Sequence, residues 1–168
     1  QGHSEIYTKQ ITFCEFKVVF SCPLKVLVRV EKFGIEPSLS RFILNEITEG
    51  DHCIDIGASY GFITTIMAKA VGRTGHVYSF ESAGDIYQVL KKNIVINNLN
   101  DICLINNCHV SDVSKDNFKK IDDLCFQRPK KIKLIKIDTD GSDYNCLLGA
   151  RKLIYQDRPI IIIEMTDY

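Results

Sequence analysis

The segment Asp51-His-Cys-Ile-Asp55-Ile-Gly57-Ala-Ser59-Tyr-Gly61-Phe-Ile carries the densest chemistry in this chain of 168 residues. An apolar strand ends at Ile56, and two glycines four apart let the backbone turn sharply and pass close to a ligand before a helix begins. The loop is of the nucleotide-cofactor kind but matches neither phosphate fingerprint. GxGxxG needs glycine where Ser59 stands, and a P-loop needs Gly-Lys-Ser/Thr, which is absent. Instead an acid, Asp55, sits two residues before the first glycine. A carboxylate there repels a pyrophosphate and suits a cofactor that carries positive charge and amine donors. S-adenosylmethionine, with a sulfonium and an α-amino group, is such a cofactor. The plainer alternative for Asp55 is a strand-end acid capping a turn.

Two further acids fall at strand ends. The strand after the loop closes on Phe80-Glu81, where a carboxylate can accept both hydroxyls of a ribose; the alternative is an acid favoured by the dipole of the helix that follows. NAD-binding sheets use the same device, so the loop and not Glu81 separates the two cofactors. Farther on, Lys136-Ile137-Asp138-Thr139-Asp140-Gly141 ends another strand. Lys136 and Asp138 are two apart, share a face, and could pair at the carboxyl end of the sheet, where open α/β sheets bind ligands. Asp138 and Asp140 could orient a methyl donor or deprotonate an acceptor, although Asp140 also reads as a turn residue before Gly141. Methyl transfer to a base amino group usually shows Asn/Asp-Pro-Pro-Tyr/Phe here, which this sequence lacks. No metal site is expected, because two carboxylates underdetermine one.

The elements that must position these residues follow from periodicity. Strands are predicted at Cys53 to Ile56, His76 to Phe80, Ile102 to Ile105, Ile132 to Ile137 and Ile160 to Ile163, with helices at about 60–71, 85–97 and 143–155. Alternation of this kind, with near-continuous Ile/Val strands, predicts a doubly wound, mostly parallel α/β sheet. Ser82-x-x-Asp85 is a candidate capping box. Leu39, Phe42, Ile43 and Ile47 share a helical face from Pro37, with Gly50 placed as its C-terminal cap. Upstream, Ile11 to Phe20 and the alternating Leu24 to Glu31 predict a hairpin turning at Ser21-Cys22-Pro23. Ser111 to Lys120 is predicted as a loop.

Composition sets the outer limits. Lys and Arg number 21 against 21 Asp and Glu, so no excess cation supports binding to a nucleic-acid backbone or an anionic membrane. The longest apolar run, Ile160 to Ile163, is far short of the ~18 residues of a membrane span. The seven cysteines are odd in number and never spaced as CxxC, which predicts reduced thiols and a cytoplasmic protein. Gln1-Gly2-His3 reads as a tag remnant.

Taken together, Asp55-Ile-Gly-Ala-Ser-Tyr-Gly61, Val77-Tyr-Ser-Phe-Glu81, Leu90-Lys-Lys-Asn93, Val110-Ser-Asp112, Ile121-Asp-Asp-Leu124, Leu134 to Gly141 and Arg158 to Glu164 resemble the FkbM family of S-adenosylmethionine-dependent methyltransferases, in the family's order. The resemblance implies a Rossmann-like class I methyltransferase fold and methyl transfer to a hydroxyl oxygen of a sugar or secondary metabolite. It implies that Asp55, Gly57, Ala58 and Gly61 hold the methionine moiety and Glu81 the ribose, that Ser59, Tyr60 and Ser82 also belong to the cofactor site, and that His109 and Val110 flank the adenine. Asp138 is expected at the cofactor and as the first choice of general base, with His109 the second; a lone strand-end His is otherwise a packing residue. Ser59, Ser82 and Asp140 stand where the family usually has Asn, Pro and Glu.

The implied division is a tag remnant at 1–3, a hairpin extension at 4–36 and a cofactor-binding domain at 37–168. The chain ends just after the fifth core strand, where this fold normally adds two more. The expectation is therefore either an incomplete chain or a homodimer that closes the exposed isoleucine edge. The competing readings are an NAD-type Rossmann oxidoreductase and a methyltransferase-like domain that binds without catalysis.

Overall fold

The structure is a computed structural model, described here for residues 5–13, 16–124 and 131–164. The chain opens with β1 (Ile6–Phe13) and β2 (Phe16–Pro23), an antiparallel pair, followed by α1 (Leu24–Phe33) and α2 (Pro37–Glu46). Then come β3 (His52–Ile56), α3 (Phe62–Val71), β4 (His76–Phe80), α4 (Gly84–Ile96) and β5 (Cys103–Asn106). A short pair, β6 (His109–Val110) and β7 (Phe118–Lys119), leads to β8 (Ile132–Ile137), α5 (Asp143–Gly149), α6 (Arg151–Asp157) and β9 (Ile160–Ile163).

The central sheet runs β5-β4-β3-β8-β9 and every described pairing in it is parallel. Chain order reverses between β3 and β8, so the crevice at their carboxyl ends is the topological switch point at which such sheets take ligands. Side chains alternate across the strands and build two cores. Cys53, Val77, Cys103 and Leu134 face α3, α4 and the hairpin, whereas Ile54, Ile56, Tyr78, Phe80 and Ile135 face α5, α6 and Val110. The doubly wound parallel sheet is as the strand and helix periods predict.

Several local expectations are corrected. Residues 24–33 form a helix rather than the hairpin's second strand: Leu27 and Val30, three apart, are buried, while Leu24 and Val28 are each 52% exposed. Three-residue spacing to the core thus outweighs the period of two, and Pro23 stands just before the helix, where its missing N–H costs nothing. The hairpin therefore pairs Ile6–Phe13 with Phe16–Pro23, and Ser21-Cys22-Pro23 belongs to β2 rather than to a turn. Gly50 does not cap α2; Ile47 does. Ser82 and Asp85 make no capping box, because α4 starts at Gly84 without a side-chain cap. The helix predicted over 143–155 divides at Ala150, beside Gly149, where a β-carbon would meet the Ser111 carbonyl oxygen at 2.0 Å. The loop predicted at Ser111 to Lys120 is pinned by β7 and by hydrogen bonds from Ser111 N–H to Lys119 O and between Lys115 and Phe118. Gln1-Gly2-His3 lies outside the described residues.

Candidate cofactor site

The glycine loop leaves β3 with φ of +77° at Gly57 and +86° at Gly61, the left-handed conformation glycine tolerates. Ser59 follows at +50° and Asp140 at +51°, positions where small polar residues are favoured over branched ones. The N–H groups of Gly57 and Ala58 both donate to Phe80 O at 2.9 Å, Gly61 N–H donates to Ala58 O, and Ser59 N–H donates to Glu81 Oε2 at 2.8 Å. These four donors are turned into the protein. They are therefore not offered to phosphate oxygens, which need such donors pointing outward.

Register explains what lies beneath it. Asp55 on β3 is opposite Ser79 on β4 and Lys136 on β8. It is fully buried, accepts from Thr64 Oγ1 at 2.6 Å, and lies 3.4 Å from Lys136 Nζ. Lys136 also donates to Gly57 O at 3.0 Å and lies 3.2 Å from Asp138 Oδ2. Burial alone would lower its pKa, but the charges of Asp55 and Asp138 raise it above the ordinary lysine value. One buried ammonium thus ties the strand-end acid, the glycine loop and the rim acid together.

Above this bridge a cavity of about 460 Å³ opens at the carboxyl ends of β3, β4 and β8. Of the residues expected in the site, Gly57, Ser59, Glu81, Ser82, His109, Val110 and Asp138 line it. Asp55, Ala58, Tyr60 and Gly61 do not: Asp55 supports the loop from below, Ala58 is buried, Tyr60 O is bound by Asn93 Nδ2, and Gly61 caps α3. Glu81 accepts Ser59 N–H on one oxygen and Ala83 N–H on the other, both at 2.8 Å, which fixes the carboxylate and leaves each oxygen a lone pair for another donor. His109 stacks on Phe118 with centroids 4.9 Å apart and planes at 20°. Ile86, Cys108, Thr139, Ser142 and Glu164 join the wall unforeseen. Sequence signals existed for Thr139, inside the Leu134 to Gly141 run, and for Glu164, which closes the Arg158 to Glu164 run.

The lining fits a cationic nucleoside cofactor. Glu81, Asp138, Asp140 and Glu164 all face the cavity, no Lys or Arg is among the described lining residues, and the volume is in the range of cofactor sites. A pyrophosphate would meet carboxylates and a loop whose donors are already used.

Comparison with known proteins agrees with this geometry. The Methyltransferase FkbM domain model matches residues 119–168, and the Protein-L-isoaspartate(D-aspartate) O-methyltransferase model matches residues 37–114. A Protein-L-isoaspartate O-methyltransferase from Methanosarcina mazei is 37% identical over 49 residues, 29% of this chain and 20% of that protein. The chain spans less than a third of the length of the curated relatives it matches. Among solved structures, the Methyltransferase FkbM from Methylobacillus flagellatus superposes with a TM-score of 0.58 at 18% identity, covering 83% of this chain and 43% of that one. A SAM dependent methyltransferase from Aquifex aeolicus gives 0.54 at 18% identity, over 86% and 74% of the two chains. The fold is that of the class I methyltransferases, and the chain carries, from residue 119 onward, a match to the methyltransferase FkbM domain.

Proposed function

We propose that this chain binds S-adenosylmethionine and transfers its methyl group to a hydroxyl oxygen of a small acceptor such as a sugar or secondary metabolite. The observation that carries the reading is the cavity wall: carboxylates at the ends of β4 and β8, and a glycine loop whose N–H groups are spent internally. Glu81, held rigid by two backbone donors, would take the ribose hydroxyls. Gly57 and Ser59 would lie along the methionine moiety, Ser82 beside the ribose, and His109 with Val110 against the adenine. The cofactor, when bound, supplies an electrophilic methyl group on a positively charged sulfur. The protein's share is alignment, exclusion of water and removal of the acceptor's proton. Asp138 and His109, the bases named from the sequence, both line the cavity.

The isoaspartate enzymes suggest a second reading, protein carboxyl methylation, favoured by the match over residues 37–114. That stretch runs from α2 through β6 and supplies the loop, Glu81 and His109, that is, the cofactor side of the cavity. It carries no information on the acceptor. An anionic acceptor would also approach Asp138, Asp140 and Glu164 against their charge.

Titration calorimetry with S-adenosylmethionine and with NAD tests the cofactor. Binding of the former alone is expected, weakened at least about tenfold in Glu81→Ala through loss of charge-assisted hydrogen bonds. Binding of NAD alone would return the chain to oxidoreductases, and binding of neither would favour a non-catalytic domain. Transfer of labelled methyl groups to a panel of hydroxylated glycosides, set against an isoaspartyl peptide, tests the acceptor.

A further inference from the structure

β8 and β9 are parallel neighbours with Ile137 opposite Ile163, so the next residue on each strand, Asp138 and Glu164, leaves the sheet beside the other. Glu164 N–H donates to Ile137 O at 3.2 Å, which fixes this adjacency at the backbone, and both carboxylates line the cavity. Their company differs. Asp138 has the Lys136 ammonium 3.2 Å from Oδ2, whereas no described ion pair involves Glu164. Resting on the methyl-transfer reading, we infer that Glu164 is the group that takes the proton from the acceptor, and that Asp138, paired with Lys136, is the positioning residue beside it.

The electrostatics agree with the geometry. Glu164 is exposed, and its carboxyl is raised above the ordinary glutamate value first by its hydrogen bond with Asp138, then by that residue's charge, by slight desolvation and by Glu36 at the start of α2; Lys136 works in the opposite direction. A carboxylate paired to an ammonium is a poor base, and one beside a second carboxylate is a better one. In the step proposed, the acceptor O–H bond breaks and its proton passes to a Glu164 carboxylate oxygen. The electron pair left on oxygen forms the new bond to the methyl carbon as the carbon–sulfur bond breaks toward sulfur. Glu164 then releases the proton to solvent. An acceptor for this site must bring a proton to give, so an alcohol or phenol qualifies and a carboxylate does not.

Carbon-13 carboxyl titration by NMR on the full chain without ligand, with Glu164 assigned through Glu164→Gln, reads the pair independently of turnover. Glu164 is expected to titrate above the usual ~4.3 and to fall back toward it in Asp138→Asn. With S-adenosylmethionine and a neutral hydroxylated glycoside, Glu164→Gln is expected to lower transfer about 100-fold while cofactor affinity, read by calorimetry, falls by far less. Ordinary titration of Glu164 that Asp138→Asn does not move, or full transfer by Glu164→Gln, would overturn the assignment. Failure of the unaltered chain to bind S-adenosylmethionine would instead overturn the reading beneath it, with the titration still deciding whether the two carboxyls are coupled.

Discussion

A β-carbon added at Gly57 would lie 1.7 Å from the carbonyl oxygen of Asp138, and the φ of +77° there is one that L side chains rarely adopt. Gly57 is thus the point where the loop after β3 touches the end of β8, and the cavity wall depends on that approach. Gly57→Ala has to part the two strand ends, move Asp138 and strain the backbone at once, and is expected to cost about 3 kcal/mol in urea unfolding and to abolish S-adenosylmethionine binding. Gly84→Ala is the contrast: the added carbon would meet only Asn107 Oδ1 at 3.7 Å, in ordinary van der Waals contact at the start of α4, and the change in stability should stay within about 1 kcal/mol. At this scale the sequence was informative about residue types and less so about their neighbours. Two glycines four apart and an acid two before them were legible, as was the pairing of Lys136 with Asp138, because both facts are local. The role of Asp55 was not. Its contact with Lys136 depends on β3 lying next to β8, strands separated by most of the domain, and that neighbourhood makes Asp55 a buried support for the loop rather than part of the cavity wall.

Elements were legible where a period is backed by burial on both sides, as in β3, β4 and β8, and misread where it is not. Leu24 to Glu31 alternates like a strand, yet only the three-residue spacing of Leu27 and Val30 reaches the core, so tertiary packing decided for a helix. A second feature invisible to periodicity joins the hairpin to the domain. Asn93 on α4 accepts Ser21 N–H at 2.7 Å and donates to Ser21 O at 2.9 Å; one turn later Asn97 accepts Val19 N–H at 2.9 Å and donates to Val19 O at 2.7 Å. The two amides serve β2 as a neighbouring strand would, since residues four apart on a helix match residues two apart on a strand closely enough to bridge. Asn93 also donates to Tyr60 O at 2.8 Å, so the same side chain links hairpin, α4 and glycine loop. Asn93→Ala removes three hydrogen bonds, two of them buried, and leaves backbone groups unpaired, at an expected cost of about 3 kcal/mol. Hydrogen exchange locates the damage: the Val19 and Ser21 amides should exchange faster by two or more orders of magnitude while those of β8 slow-exchange as before, because the hairpin can open without the sheet. Equal acceleration in both would mean that hairpin and sheet unfold together.

For the molecule as a whole, sheet class follows from alternation, and the prediction of reduced thiols now has a physical basis that can be tested. Cys53 and Cys103 lie in the core facing the hairpin and Cys146 in the core on the other face, with Cys22 buried at the end of β2. Burial pushes the thiols of Cys53 and Cys103 up to about 12 and those of Cys22 and Cys146 up to about 11. A thiolate is the reactive form, so at pH 8 none of the four should react while the protein is folded, and labelling must wait for opening. In a chain with Cys14, Cys108 and Cys125 replaced by Ser, an aromatic disulfide reagent should therefore label these four slowly, and urea below the transition should speed all of them. The pattern of rates then measures cooperativity. Cys53, Cys103 and Cys146 sit on both faces of one sheet, under helices that remain in place when the hairpin alone opens, and should share a single rate set by unfolding of the domain. Cys22 is held to the sheet through the hairpin and its asparagine clasp, so Asn93→Ala should raise its rate alone; a Cys146 rate that rose with it would show that the two cores do not unfold separately from the hairpin.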